Sequence, residues 1–493
     1  MTKKLWLLVV CALAACGGDA AGPDDTTPSL TLSVDSVRIT LGSSATVAAT
    51  VNNSTATAQF VSRNESVATV SANGTINAVA LGTTYVVGSL SDLPNVRDSV
   101  RVRVVEQGQL GSMQLLGTGV VQERWTSEVA ARGGFAYTGT WGARTFDNLG
   151  HPGNVIKVWN VAGNVPQLVD SLIIQNVGTV SDVQISDDGS LLVASLELGG
   201  SAANGLVIYS LANPARPALR GYFHTSLSMH TVKLGRVGGR HYAFVSAQAN
   251  ARLVIVDITD PAAPVEVHNS LPGGAIHDTF VRDGILFAAL WSTGLRIYDI
   301  GGAGRGGTPA NPIAISTIVT SLCRVCGGGA NVHNVWWYHD PNTNERRYAF
   351  VGEEGPGNVG DMISRGALHV VDVSDLANPR EVAVYEPDPA TTVNGQNAGA
   401  HNFVMDEPSG ILYAAFYNGG VRALDVRGDL SACAEGQKTN GFCDLAKMGR
   451  EVGVAVNEGA PKYIWGVARA GTSLYASDMW NGIHKIDISG MQR

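Results

Sequence analysis

Four histidines, His230, His277, His333 and His401, follow one another at intervals of tens of residues, each just ahead of a short apolar strand. The chain has only eleven histidines, so four at one repeated position form a pattern rather than scatter. Neutral imidazole is a ligand for transition metals, and a set of four converging on one point would suit copper, iron or zinc. In other repeats Trp465 stands at the matching position and Glu128 and Asp182 stand one residue after it, on the side where an open coordination position of the kind a catalytic site needs would lie. Asp278 or the Glu353-Glu354 pair could orient an imidazole through its second nitrogen. A plainer reading stands beside this one: the histidine is a consensus residue of the repeat, bonding a backbone carbonyl or a neighbouring aspartate. Two other motifs fail on context. Asp340-Pro-Asn342-Thr-Asn344 begins like a calcium loop but has Glu345 where glycine is required and Val351 where the last glutamate should be, so a hairpin tip is expected. Gly301-Gly-Ala-Gly304-Arg-Gly-Gly307 follows a strand and opens no helix, so it implies no phosphate cradle.

The elements that position the histidines recur. A strand of one pattern appears as IKVWNV (156–161), LVIYSL (206–211), LVIVDI (253–258), LRIYDI (295–300), LHVVDV (368–373), VRALDV (421–426) and IHKIDI (483–488). A second apolar strand precedes it, as in Tyr242-Ala-Phe-Val245 and Leu412-Tyr-Ala-Ala415. After it comes a turn such as Asp257-Ile-Thr-Asp260-Pro261, where carboxylates cap backbone N–H groups and proline ends the ladder. The histidines fall on the first strand of each unit. The last unit shows three strands, near 466–469, 474–478 and 483–488; a spare strand from Met113 to Val121 is placed to complete it. With LVIVDITDPAAP as its clearest copy, the repeat resembles the LVIVD family over roughly residues 115–490. The resemblance implies a β-propeller, here seven-bladed over 112–490, and little about activity.

Residues 29–106 alternate apolar and polar with turn signals between short runs, the mark of half-buried strands. Ser66-Val-Ala-Thr-Val70, Asn73-Gly-Thr-Ile76 and Ala80-Leu-Gly-Thr-Thr84 resemble the group 2 bacterial Ig-like domain, with Phe60 where that family usually has tryptophan. The fold expected is therefore all-β: a small Ig-like β-sandwich followed by a seven-bladed β-propeller. Ahead of it, residues 1–15 read as an export signal, with Lys3 and Lys4 before an apolar core. Leu13-Ala-Ala-Cys16 resembles the bacterial lipobox, which implies lipidation of Cys16. Residues 16–28 make a polar tether with nothing to bury.

An exported chain favours disulfides. Cys433 and Cys443 would close a short loop; Cys323 and Cys326 read as a disulfide, or less simply as a redox or metal pair. The net charge of −8 argues against nucleic acid as a partner. The expected setting is the cell envelope, at the outer membrane or cell surface, with the membrane reached through the lipid anchor and a protein, glycan or small molecule as ligand. Two functions follow: a presented binding or interaction module, or a metal-dependent enzyme, such as an oxidoreductase, using the histidines. The second resembles, by architecture only, the carotenoid oxygenases and selenium-binding proteins, propellers with metal-holding central histidines.

Overall fold

The computed structural model describes residues 27–34, 36–105, 113–121, 123–142, 153–197, 203–321, 331–356, 364–392, 395–457 and 462–491. Cys16, Cys323 and Cys326 lie outside them. The chain divides into two compact units, residues 1–107 and 108–493. Among the described residues the regular structure is β-strand with a few short 3-10 turns, and no helix is long and apolar enough to cross a membrane.

The first unit is built from short strands, as the alternating pattern requires. Ala58–Ser62, Gly82–Leu90 and Arg97–Val105 pair antiparallel in turn, and Ser36–Thr40 adds to the last in parallel. Ser44–Thr46, Thr75–Ala78 and Ala68–Val70 form a second sheet, and Ser29–Leu32 pairs with Ala49–Asn52. Their inward residues, among them Leu30, Leu32, Val47, Ile76, Val86, Val100 and Val102, make one core, against which Phe60 packs.

In the second unit each sequence repeat becomes a four-stranded antiparallel meander. Its first example runs Trp125–Arg132, Phe135–Trp141, Val155–Asn160, Gln167–Ile173. The second and third strands are buried on both faces, which explains their near-continuous apolar runs: Leu191–Glu197 and Ile285–Ala289 are buried throughout. The first strands are the innermost: Trp125–Arg132, Thr179–Ile185, Thr231–Val237, Asp278–Arg282, Val332–Trp337, Phe403–Asp406 and Ile464–Ala470. Each packs against the next, and the last packs against the first, so the ring closes and the unit is a β-propeller. Gln114–Val120 supplies the outer strand of the final sheet, pairing antiparallel with Gly482–Asp487.

The turns behave as their residues dictate. Asp257 Oδ1 accepts from Thr259 N at 2.9 Å and Asp372 Oδ1 from Ser374 N at 3.0 Å. Asp340 joins Val332–Trp337 to Tyr348–Glu353 through a tip in which its Oδ1 accepts from Asn342 N. The glycine run 301–307 wraps the Asp299 carboxylate, which accepts from the N–H of Gly301, Gly302, Ala303, Arg305 and Gly307 at 2.7–3.2 Å. A Cys433–Cys443 disulfide lies in the segment between Val421–Asp425 and Glu451–Ala455. From that segment Phe442–Asp444 adds in parallel to Arg380–Tyr385 of the preceding sheet.

Candidate functional site

Four of the inner strands carry β-bulges near the axis, while the strands that follow His230, His277 and His401 pair in continuous register. The register slips between Thr126 and Val129, Val180 and Val183, Val332 and Asn334, and Ile464 and Gly466. A bulge places two consecutive residues where one would stand and re-aims both side chains. The ring is two-tiered, with histidines and aromatics at one level and carboxylates, amides and a lysine at the next.

On the first tier the four histidines meet. Ring centroids are 4.6 Å apart for His230–His277, 4.0 Å for His277–His333 and 4.2 Å for His333–His401. His230 Nε2 is 3.1 Å from His277 Nε2, while His230 Nδ1 is 3.1 Å from Glu197 Oε1 and 3.3 Å from Ser181 Oγ. His401 Nδ1 donates to the Trp465 carbonyl at 2.6 Å, which fixes the proton on that nitrogen. Glu354 enters the same space: Oε2 is 3.8 Å from His277 Nε2 and 3.6 Å from His333 Nε2, and Oε1 accepts from the Tyr417 hydroxyl. His277, His333 and Glu354 each offer a ligand atom within 4.8 Å of the other two. Neither ring nitrogen of His333, nor Nδ1 of His277, is in a well-formed hydrogen bond among the described residues, although the Asn334 side chain interacts with His333 and the His333 backbone with His277. Burial, with the neighbouring imidazoles next, holds His277, His333 and His401 well below the ordinary histidine range, so all three are neutral at pH 7. Burial pulls the same way on His230, but the Glu197 carboxylate outweighs it and raises that pKa.

Aromatic side chains enclose this tier. Trp291 stacks on His277 at 4.9 Å and 19°, Trp465 leans on His401 at 4.2 Å, and Trp141 meets His230 edge-on. Tyr417, Tyr463 and Met479 form a buried group, with Trp125, Trp141, Trp465 and Trp480 packed against it.

The acidic residues expected around the histidines divide differently. Glu354 reaches them; Glu353 turns into its own sheet, where Oε2 is 3.1 Å from His369 Nε2 and Oε1 accepts from Thr320. Side chains of adjacent strand residues leave on opposite sides, so only one of the pair can face the axis. Glu128, Asp182 and Asp278 belong instead to the second tier, around Lys233, whose Nζ is 3.7 Å from Asp182 Oδ2 and 3.6 Å from Asp278 Oδ2. Trp465 does flank the histidine tier, but as a wall and a carbonyl acceptor. Gly466 leaves the gap that the Glu128 carboxylate fills, since a Cβ there would collide with Glu128 Oε1. Glu128 also accepts from Asn402 Nδ2, and Asn334 Nδ2 donates to Asn402 Oδ1 at 3.1 Å. Burial and the nearby Asp182 push the Glu128 carboxyl up to about 7, and burial pushes Asp278 up to about 6 despite Lys233. The Lys233 ammonium is favoured by these carboxylates over the cost of burial.

Beyond this tier the channel opens into a cavity of about 510 Å³, floored by Glu128, Lys233, Asp278, Asn334 and Asn402. Arg236, Arg282 and Arg469 line its wall, each paired with a carboxylate, Asp188, Glu407 and Asp406 respectively. Arg282 also lies over the rings of Phe280 and Trp336.

The LVIVD repeat family matches residues 239–271 and 363–386, the sheets that carry His241–Asp257 and His369. No curated protein matches the chain. Among solved structures it is similar to the β-propeller domain of Cps50 (Swd1) from Myceliophteria thermophila, at 12% identity over 76% of this chain and 99% of that one, with TM-score 0.48. It is also similar to a functionally unknown protein from Desulfotomaculum acetoxidans, at 10% identity over 70% and 90% with TM-score 0.45. A third is Saccharomyces cerevisiae Sqt1, at 9% identity over 74% and 82% with TM-score 0.43.

Proposed function

We propose that this protein is an exported, lipid-anchored envelope protein in which an Ig-like domain carries a seven-bladed propeller that works as a binding module. The observation that carries the reading is the axial cavity of about 510 Å³, a volume suited to a small molecule or to one projecting group of a larger partner. Its floor sets the chemistry. Glu128 and Asp278 stand on the floor beside a single ammonium, Lys233, and the three wall arginines are already paired, so acceptors exceed donors. A group rich in hydroxyls or amines fits this floor, and an anion does not. Anchoring through Cys16 and the tether at 16–28 would hold the protein at a membrane surface.

Glucosamine, glucose and glucuronate distinguish the charge classes, with Trp336 fluorescence or amide shifts of the cavity wall as the readout. Saturable binding of the amine or neutral sugar, weakened by Glu128→Gln and absent for the acid, supports the reading. No saturable response to any of them, or tightest binding of the acid, overturns it. For the anchor, Cys16→Ser is expected to move the protein from the detergent phase to the aqueous phase; unchanged partitioning rules lipidation out.

A further inference from the structure

At the other level of the channel the chemistry is different. We propose that His277, His333 and Glu354 bind one divalent first-row transition metal ion on the propeller axis, with His230 and His401 beside them outside the ligand set and Tyr417 as a positioning residue. The inference does not depend on what the cavity binds.

Distances make the first argument. Ligand atoms about 2.0–2.2 Å from a common ion lie roughly 3 to 4 Å from one another at the angles of tetrahedral and octahedral sites. The separations here fall in that window: Glu354 Oε2 is 3.8 Å from His277 Nε2 and 3.6 Å from His333 Nε2, and the three groups offer ligand atoms within 4.8 Å of one another. Two hydrogen-bonded side chains would account for one such contact, not for three groups converging from two neighbouring sheets.

Proton bookkeeping makes the second. His230 Nδ1 faces the Glu197 carboxylate and is the natural donor to it, which leaves the Nε2 lone pair directed at His277. A proton shared between His230 and His277 would satisfy that pair alone. It would leave His333, 1% exposed, with neither buried nitrogen in a well-formed hydrogen bond, which costs the desolvation of both. A metal bond at Nε2 removes one of these orphans.

The donor set selects the ion. Two imidazoles with one carboxylate suit zinc, iron, cobalt or copper, whereas calcium and magnesium take oxygen ligands. Outer partners of the usual kind are in place. Tyr417 holds Glu354 Oε1 so that Oε2 is turned inward, and Glu197 on His230 adds a second carboxylate beside the buried space. His401 has its Nδ1 committed to the Trp465 carbonyl and lies against His333 and Trp465 as part of the wall.

The full chain, expressed with cobalt or zinc in the medium and purified without chelator, is expected to hold one equivalent of metal. The cobalt form should show the visible ligand-field bands of a site with imidazole and carboxylate ligands, and its melting temperature should rise with free metal concentration, as binding to the native state alone requires. His277→Ala and Glu354→Gln should weaken affinity at least about 100-fold, and Tyr417→Phe about tenfold with an altered cobalt spectrum. His401→Gln should keep the stoichiometry. Should the alanine variant fail to fold, the wild-type cobalt spectrum and melting shift decide by themselves. Sub-stoichiometric metal with no such bands overturns the proposal, as does binding that survives both ligand substitutions; loss of the metal in His401→Gln overturns the ligand set.

Discussion

Trp291 and Tyr417 occupy matching turns two sheets apart. Both have left-handed backbones, φ 47° and 41°, and both pair across to the innermost strand of the following sheet, Trp291 with Val332 and Tyr417 with Ile464. Bulky residues at positive φ are outliers, costing about 1–3 kcal/mol each, and persist where the surroundings over-determine them. Here the strained turn swings one ring onto His277 and the other phenol onto Glu354.

Tyr417→Phe keeps the ring and removes its hydroxyl, leaving the buried Glu354 carboxylate without that donor. Destabilisation of about 1–3 kcal/mol is expected in chemical denaturation. A midpoint equal to wild type would show that the hydroxyl contributes nothing.

The Asp299 carboxylate organises a loop of glycines that has no apolar side chain to pack but Ala303. Burial would raise its pKa, yet the N–H groups of Ala303, Gly301, Arg305 and Gly307 overcome that and hold it below the ordinary carboxylate range. Asp299→Ala should therefore cost at least about 2 kcal/mol at pH 7. Because the folded pKa is depressed, the stabilisation is present above the unfolded value near 3.9 and fades as pH falls below it. The gap between variant and wild type should narrow toward pH 3; a constant gap would contradict the electrostatic account.

His369 lies between Glu353 and Glu381, 3.1 and 2.6 Å away. Burial opposes its charge, but the two carboxylates raise the pKa to about 9. A raised folded pKa means that the contribution is complete below the unfolded value near 6.5 and disappears as pH rises through 9. His369→Gln should lose on the order of 3 kcal/mol at pH 6 and much less near pH 10. Stability curves that stay parallel across this range would refute the ion pair.

The Cys433–Cys443 bridge closes a loop of sequence separation 10, for which chain entropy gives roughly 3 kcal/mol or less. Replacing both cysteines with alanine should release Phe442–Asp444 from the edge of the neighbouring sheet, seen as faster amide exchange at Cys443 and Asp444 positions and along Arg380–Tyr385. Unchanged protection there would mean that Leu445 and its apolar contacts suffice.

The repeat was legible because it is written in burial. Strands enclosed on both faces must be apolar, and the turn after LVIVDI must carry its aspartate, so both appear as spelling. Four histidines in one column were visible for the same reason. Glu354 was named, but beside Glu353 and without a way to choose, since which of two adjacent carboxylates faces the axis depends on strand register. Glu128 and Asp182 were drawn to the wrong tier because a bulge offsets consecutive residues along the channel, and no residue type announces a bulge; Asp278 follows His277 directly, and adjacent strand residues leave on opposite sides. Glu197, Trp291 and Tyr417 passed unread: they stand at the ends of second strands, where their spelling continues the apolar run. The left-handed turns of Trp291-Ser-Thr-Gly294 and Tyr417-Asn-Gly-Gly420 were the available signal, glycine following an aromatic by two or three places.

The pairing of Gln114–Val120 with Gly482–Asp487 also sets an order of events. A chain made from its amino end has the outer strand of the last sheet in hand long before the strand it must join exists. Every intervening sheet can form locally, from neighbours in sequence, while that first strand waits with both edges open. Joining the two ends then closes a loop of nearly the whole unit, an entropic charge of roughly 5 kcal/mol met in a single late step. The ring is thus a clasp that only a finished chain can fasten, and a ribosome that stops short leaves a string of sheets rather than a smaller ring.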